Sequence, residues 1–298
     1  MRKSEATGDW TSWLPWVDGP TITAASLAET LDGGQAFRWN WLGSHFEGIW
    51  SRYHIRLKPA SGDRLSYSLP TSADATGVLS ALGAYFALPT DFEMMTDHLP
   101  WRSDPVLAAA IKNFPGLRIL RQPVGETLFC FLCSSTKQVP QIKAICEAVA
   151  TRSGSACGNG TYTLPTWPQI EAAGETTLRA CKLGYRAGYI HRTAQVLAAE
   201  PDFFTRLETL ETDAAREQLM GLPGVGRKIA DCVLLFGLGR HEAFPIDTWV
   251  QRILERAYGL AGWPSTQLQQ FARAHFGPGA GYAQQYLFAA ARAGKIPA

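Results

Sequence analysis

Two residues in this 298-residue chain stand out as able to do covalent chemistry: a lysine and an aspartate, each at the start of a helical stretch. Lys228 follows Leu222-Pro223-Gly224-Val225-Gly226-Arg227, with an amphipathic segment before it and an apolar one after it. A cation in the first turn of a helix opposes the helix dipole, so helix propensity does not choose it. The same field, with partial desolvation, favours the neutral amine. A neutral amine is the nucleophile that Schiff-base chemistry needs. Asp247 stands in Phe244-Pro245-Ile246-Asp247-Thr248-Trp249, just ahead of another helix. Its plainest role is an N-cap, which contributes roughly 1 kcal/mol. Helix-start amides also keep the carboxylate ionised, able to stabilise a developing oxocarbenium ion. The two roles are compatible, and Lys228 taken alone also reads as a solvated surface residue.

The segment that positions the lysine reads as a tight hairpin between two helices. Gly224 and Gly226 are expected to take backbone angles closed to other residues, and Pro223 to stop the preceding helix. The second helix then begins with unsatisfied amides, an anion site that needs no basic side chains. Without its flanking residues, LPGVG is also compatible with a simple turn between helices.

Composition sets the frame. Net charge is only +2, so any nucleic-acid binding must rest on placed groups rather than a basic average. The apolar fraction, 46%, supports a sizeable core. The six cysteines (130, 133, 146, 157, 181 and 232) are irregularly spaced, which suits a reduced compartment. Cys130 and Cys133 form a CxxC inside an apolar run, read as a buried helix rather than a metal site. No cysteine follows Cys232, which excludes a C-terminal four-cysteine iron–sulfur loop. The N-terminus is basic but lacks an apolar h-region, so no secretory signal is expected. No stretch approaches a membrane span.

The elements fall into two textures. From about Pro20 to Pro70, segments 37–41, 46–50, 54–57 and 65–69 alternate with period two and predict an antiparallel sheet covered on one face. From about Asp104 the pattern is helical, with Gly or Pro at nearly every junction, and 153–163 reads as a surface loop. The fold class is α+β, a sheet domain followed by a helical bundle.

The span Leu222–Trp249 resembles the helix–hairpin–helix (HhH-GPD) DNA glycosylases, and within them the bifunctional 8-oxoguanine DNA glycosylase/AP lyase group. Four further segments are similar to family motifs, in order: Gly34–Trp39 (GQAFRW), Leu117–Gln122, Leu183–Ala187 (LGYRA) and Tyr282–Phe288. The resemblance implies a sheet domain over 1–115 and a two-lobed helical HhH-GPD domain over 116–298, with lobes of about 136–225 and of 116–135 plus 226–298. It makes Lys228 the nucleophile and Asp247 the catalytic carboxylate. It gives the Gly34 carbonyl to N7–H of the oxidised guanine, Cys232 and Phe288 to the base's two faces, and Gln284 to its Watson–Crick edge. The i,i+4 spacing of Lys228/Cys232 and Gln284/Phe288 puts each pair on one helix face. Gly224 and Gly226 would hold a phosphate, Tyr185 would wedge into the duplex, and Arg186 would face the gap. Carbonyls of Met220, Leu222 and Val225 would hold K+ or Na+, with no cofactor required.

Two departures stand out. The family's Asn-rich run is here Cys133-Ser134-Ser135-Thr136-Lys137-Gln138-Val139-Pro140-Gln141, with Thr136 at the position of the Asn and Gln141 at that of the Arg that read the opposite cytosine. Lys137 lies between them. Losing such contacts removes about 1–3 kcal/mol of discrimination, so a relaxed opposite-base preference is expected. Trp249 stands where the family has a phosphate-side His. The implied activity is excision of 8-oxoguanine from double-stranded DNA by a monomer, in the cytoplasm of a bacterium or the nucleus of a eukaryote, and not secreted. A monofunctional alkylated-base glycosylase and a non-catalytic HhH DNA-binding protein are the alternatives.

Overall fold

The computed structural model describes residues 9–298; the basic N-terminus over 1–8 lies outside the described residues. The first unit contains β1 (Leu14–Pro15), α1 (Ala24–Asp32), β2 (Trp39–Trp41), β3 (Phe46–Trp50), β4 (Tyr53–Pro59), β5 (Leu65–Ser68), α2 (Ala75–Tyr85) and α3 (Phe92–His98). The strands pair antiparallel in the order β1-β5-β4-β3-β2. Phe46, Gly48 and Trp50 of β3 are buried while Glu47 and Ile49 are half-buried, the period-two pattern of a sheet covered on one face. Trp39 lies opposite Gly48, where a Cβ would stand 2.2 Å from the indole. Gly48 is therefore the space that lets Trp39 reach the core, where its Nε1 donates to Tyr85 Oη at 3.1 Å.

Helices α1 and α2 cover that face with Leu27, Leu31, Val78 and Leu82. The sequence pattern marks neither of them, nor α3. α2 carries Gly77, Gly83 and Thr76, poor helix formers. It is held by the Asp74 side chain, which accepts from Thr76 N and Gly77 N, and by burial of Val78, Leu82 and Tyr85. The predicted strand 37–41 begins only at Trp39, because Phe37 turns away into the helical core and packs edge-on against Phe131.

The helical part comprises α4 (Pro105–Asn113), α5 (Val124–Cys133), α6 (Val139–Ser153), α7 (Trp167–Ala180), α8 (Arg186–Ala199), α9 (Phe203–Thr209), α10 (Thr212–Met220), α11 (Arg227–Phe236), α12 (Thr248–Ala257), α13 (Ser265–Phe276) and α14 (Ala280–Arg292). The expected loop at 153–163 is instead the end of α6 followed by a hairpin, β6 (Ala156–Gly158) and β7 (Thr161–Tyr162). Its turn places Asn159 and Gly160 at positive φ, the conformation an Asn-Gly turn favours. Segment 117–122 stitches the two units together: Leu117 and Ile119 enter the helical core and Leu120 enters the sheet core. Cys130 and Cys133 are free, buried thiols of α5, as the apolar run predicted, with Cys130 Sγ 3.7 Å from Cys146 Sγ.

Candidate active site and nucleic-acid interface

The hairpin between α10 and α11 is fixed from outside and from within. Thr193 Oγ1 donates to Pro223 O at 2.9 Å, and Val225 N donates to Leu222 O at 3.1 Å. Gly224 has φ +81, and a Cβ there would stand 2.8 Å from Tyr189 Cβ. Only glycine satisfies both conditions. Gly226 differs from expectation. Its φ of −93 and ψ of 176 are extended backbone open to any residue, and a Cβ added there would meet nothing within 4 Å. Gly226 precedes α11 with no side-chain cap, so the first amides of α11 remain free to bind an anion.

Lys228 is half-buried in the first turn of α11. Its Nζ donates to Ser134 Oγ at 3.3 Å and lies 5.0 Å from the Phe131 ring centre. Ser134 Oγ donates its own proton to Phe131 O at 2.7 Å, which turns its lone pairs toward the amine. No local sequence pattern assigns Ser134 a role. The only signal was its place at the end of a helix beside an apolar run. Asp247 caps α12, its Oδ1 accepting from Val250 N at 2.8 Å. Both charges act on the Cys232 thiol. Burial pushes that thiol up to about 12, Asp247 adds to the rise and Lys228 opposes it. Cys232 thus stays a neutral, apolar surface at physiological pH. Behind Lys228, Asp231 is fully buried and accepts from Arg216 Nε at 2.7 Å, with Arg227 Nε at 3.7 Å. This network anchors the start of the helix that carries the lysine.

Gly34 takes φ +107, and its side-chain direction points at Phe288, 3.7 Å from Cε1, and at Val139, 3.5 Å from Cγ2. Gln35, fully buried, holds it there. Its Nε2 donates to Arg118 O at 2.9 Å, its Oε1 accepts from Leu120 N at 2.9 Å, and its carbonyl accepts from Gln122 Nε2 at 2.6 Å. Gln35 is therefore a positioning residue that sequence reasoning passed over, although it stands in the quoted motif. Gln284 is buried and its Oε1 has no partner among the described residues. A buried, unsatisfied acceptor calls for an explanation, and a ligand edge would supply one. Phe288 packs at the margin of the core that contains Cys232.

A cavity of about 460 Å³ joins Tyr185 and Arg186 to Met220, Leu222, Gly224, Val225 and Gly226. Tyr185 is 57% exposed and free to enter a ligand, with the Arg186 guanidinium 4.4 Å from its ring centre. Met220, Leu222 and Val225 all line this cavity, and main-chain carbonyls are the donor type that K+ takes. The Leu222 carbonyl keeps one lone pair beyond its bond from Val225 N. These residues therefore offer the donor type suited to the cation that the resemblance implies.

The residues that the resemblance assigns to the opposite strand make bonds within the chain. Arg186 is buried, its Nη2 donating to Thr136 Oγ1 at 2.7 Å and also to Ser135 O. Gln141 spends its Oε1 on Gln138 N at 3.0 Å in a capping box that starts α6. Lys137 is half-buried beside it, and Trp249 is 40% exposed on the first turn of α12.

An antiparallel sheet followed by a helical bundle that carries a helix–hairpin–helix, with a lysine at its mouth, defines a base excision DNA repair protein of the HhH-GPD superfamily. Residues 130–276 match that superfamily, and residues 20–128 match the N-terminal domain of 8-oxoguanine DNA glycosylase. The chain belongs to this 8-oxoguanine DNA glycosylase family, as its sequence motifs implied. It is 31% identical over 291 residues to the N-glycosylase/DNA lyase OGG1 of Arabidopsis thaliana, covering 91% of this chain and 78% of that one. A probable N-glycosylase/DNA lyase of Methanothermobacter thermautotrophicus is 44% identical over 115 residues, a match spanning 39% of this chain and 36% of that protein. The Clostridium acetobutylicum 8-oxoguanine glycosylase/lyase, solved with dsDNA containing cytosine opposite 8-oxoG, superposes with a TM-score of 0.84 at 26% identity, covering 97% of this chain and 100% of that one.

Proposed function

We propose that this chain is a bifunctional DNA glycosylase/AP lyase that excises 8-oxoguanine from duplex DNA. The observation that carries the reading is the placement of Lys228: a half-buried amine held by Ser134, sharing the surroundings of Cys232 with the Asp247 carboxylate. The damaged nucleotide leaves the stack at a cost of a few kcal/mol, offset by Tyr185 and by the hairpin's grip on a phosphate. The base enters between Cys232 and Phe288. The Gly34 carbonyl accepts its N7–H, and the unpartnered Gln284 Oε1 meets its Watson–Crick edge. Lys228, having lost a proton, attacks C1′ as the glycosidic bond breaks and the base departs with the bonding pair. Asp247 stabilises the positive charge that develops on the sugar. The C1′–O4′ bond then breaks as the amine nitrogen forms the imine, with O4′ leaving as a hydroxyl; a proton leaves C2′, and the 3′ phosphate is expelled by β-elimination.

A K+ or Na+ held by the carbonyls of Met220, Leu222 and Val225 would add positive field beside the bound phosphate. Thr136 and Gln141 supply no charged or bidentate reader, which supports a relaxed choice of opposite base. The protein acts as a monomer on chromosomal DNA, in the cytoplasm of a bacterium or the nucleus of a eukaryote. The test is a panel of duplexes carrying 8-oxoguanine, a formamidopyrimidine, uracil or 3-methyladenine. Excision with strand cleavage is expected for the oxidised purines. Release of 3-methyladenine without strand cleavage would instead assign a monofunctional alkyl-base enzyme.

A further inference from the structure

The loop that gives Ser135 to the hairpin cavity gives Lys137 to a second cavity, of about 480 Å³. The turn that gives Tyr185 and Arg186 to the first gives Cys181 and Lys182 to the second. Three cations line this second cavity, Lys137, Arg152 and Lys182, around an apolar floor, and among the described residues no carboxylate lines it. None of the three forms an ion pair among the described residues. Elsewhere on the surface the cations are commonly paired, as Arg179 is with Glu175 and Arg206 with Glu200. Lys182 is moreover held at φ +64, a left-handed conformation that strains a non-glycine residue. Three like charges kept together without an acid repel one another, and an anion relieves that repulsion.

We propose that Lys137, Arg152 and Lys182 form a phosphate track for the strand opposite the lesion. The assignment rests on the DNA-repair function proposed above. The hairpin amides beside Lys228 take the damaged strand, whereas the second cavity is bordered by Gln141 and lies one residue from Thr136, the two positions that face the opposite base in the family. Grip through phosphates carries no sequence information. It would hold the opposite strand whatever its base, which suits a chain that keeps a glutamine where its relatives place a charged reader.

The test is equilibrium binding of the full-length protein to an 8-oxoguanine duplex and to the same duplex undamaged, across a salt series. The proteins compared are the unsubstituted chain, Lys182→Gln, Arg152→Gln and the double variant. The dependence of log K on log salt is expected to flatten by about 1 for each cation removed, on both duplexes alike. Neutral methylphosphonate linkages in the opposite strand should weaken the unsubstituted protein more than the double variant. Linkages in the damaged strand should weaken both equally. Unchanged salt slopes, or opposite-strand linkages that cost both proteins the same, would overturn the phosphate track. Absence of any excision by the unsubstituted protein would strike the proposed function instead, and the binding slopes would still report on the track.

Discussion

Arg186 Nη2 donates to Thr136 Oγ1 at 2.7 Å, joining the neighbour of Tyr185, the proposed wedge, to the position proposed to face the opposite base. Thr136 sits at φ +53, where a β-branched side chain is strained. The bond from Arg186 takes one lone pair of the Thr136 hydroxyl and helps hold that conformation. What remains is one short hydroxyl, which cannot make the bidentate contact that discriminates among bases. Near-equal cleavage of 8-oxoguanine duplexes carrying C, A, G or T opposite is expected. Thr136→Asn should raise the preference for C and, because Asn tolerates the left-handed region, stabilise the fold by up to about 1 kcal/mol. A strong preference for C in the unsubstituted protein would contradict this reading.

Ser134 orients the lysine amine. Its hydroxyl donates to Phe131 O at 2.7 Å and accepts from Lys228 Nζ at 3.3 Å. Ser134→Ala leaves the amine without that partner and free to sample other rotamers. Single-turnover excision should slow by about 10-fold to 100-fold, since loss of positioning carries costs of that order. Duplex affinity should stay within a factor of two or three, roughly a few tenths of a kcal/mol. Loss of affinity with an unchanged rate would place Ser134 in binding instead.

The two hairpin glycines should behave oppositely. Gly224→Ala meets both a positive φ and Tyr189 at 2.8 Å, so it should destabilise the protein by roughly 1–3 kcal/mol. Gly226→Ala meets open space at an ordinary φ, so its melting temperature should hardly move. If a phosphate approaches Gly226, the added methyl should nevertheless weaken duplex binding. Thermal melts paired with binding isotherms separate the two effects, and equal destabilisation by both substitutions would contradict the hairpin geometry.

A carboxyl far from the chemistry should govern stability against pH. Glu126 accepts from Ser51 N at 2.7 Å between the sheet and helical units, and burial pushes its carboxyl up to about 7. Unfolded, the same group ionises near 4.5. Between these values the folded chain binds more protons than the unfolded one, so stability falls as pH rises from about 4.5 to 7. Glu126→Gln, uncharged throughout, should flatten that part of the curve of melting temperature against pH. A stability that rose with pH across the window in a Glu126-dependent way would refute the assignment.

Much of the site was legible because its chemistry is written locally. The Lys228 and Asp247 helix starts, the LPGVG hairpin and the i,i+4 pair on α14 all depend on residues close in sequence. What could not be read depends on contacts across the fold. Gln35 and Arg118 are 83 positions apart, and only the folded chain shows that the glutamine holds Gly34 against Phe288. Ser134 and Lys228 are 94 positions apart. Gln141 stands at the position of the family's Arg, and only the folded chain shows that its side-chain amide oxygen belongs to the capping box of its own helix. The helices α1 to α3 are hidden for the same reason: modest local propensity is overridden by burial against the sheet.

Lys228 is the residue proposed to form the covalent bond to the sugar. Borohydride reduction during reaction with an 8-oxoguanine duplex tests it directly. The unsubstituted protein should give a stable protein–DNA adduct whose cross-linked peptide contains Lys228. Lys228→Gln should bind the same duplex and give no adduct. An adduct of undiminished yield from Lys228→Gln would show that another amine is the nucleophile.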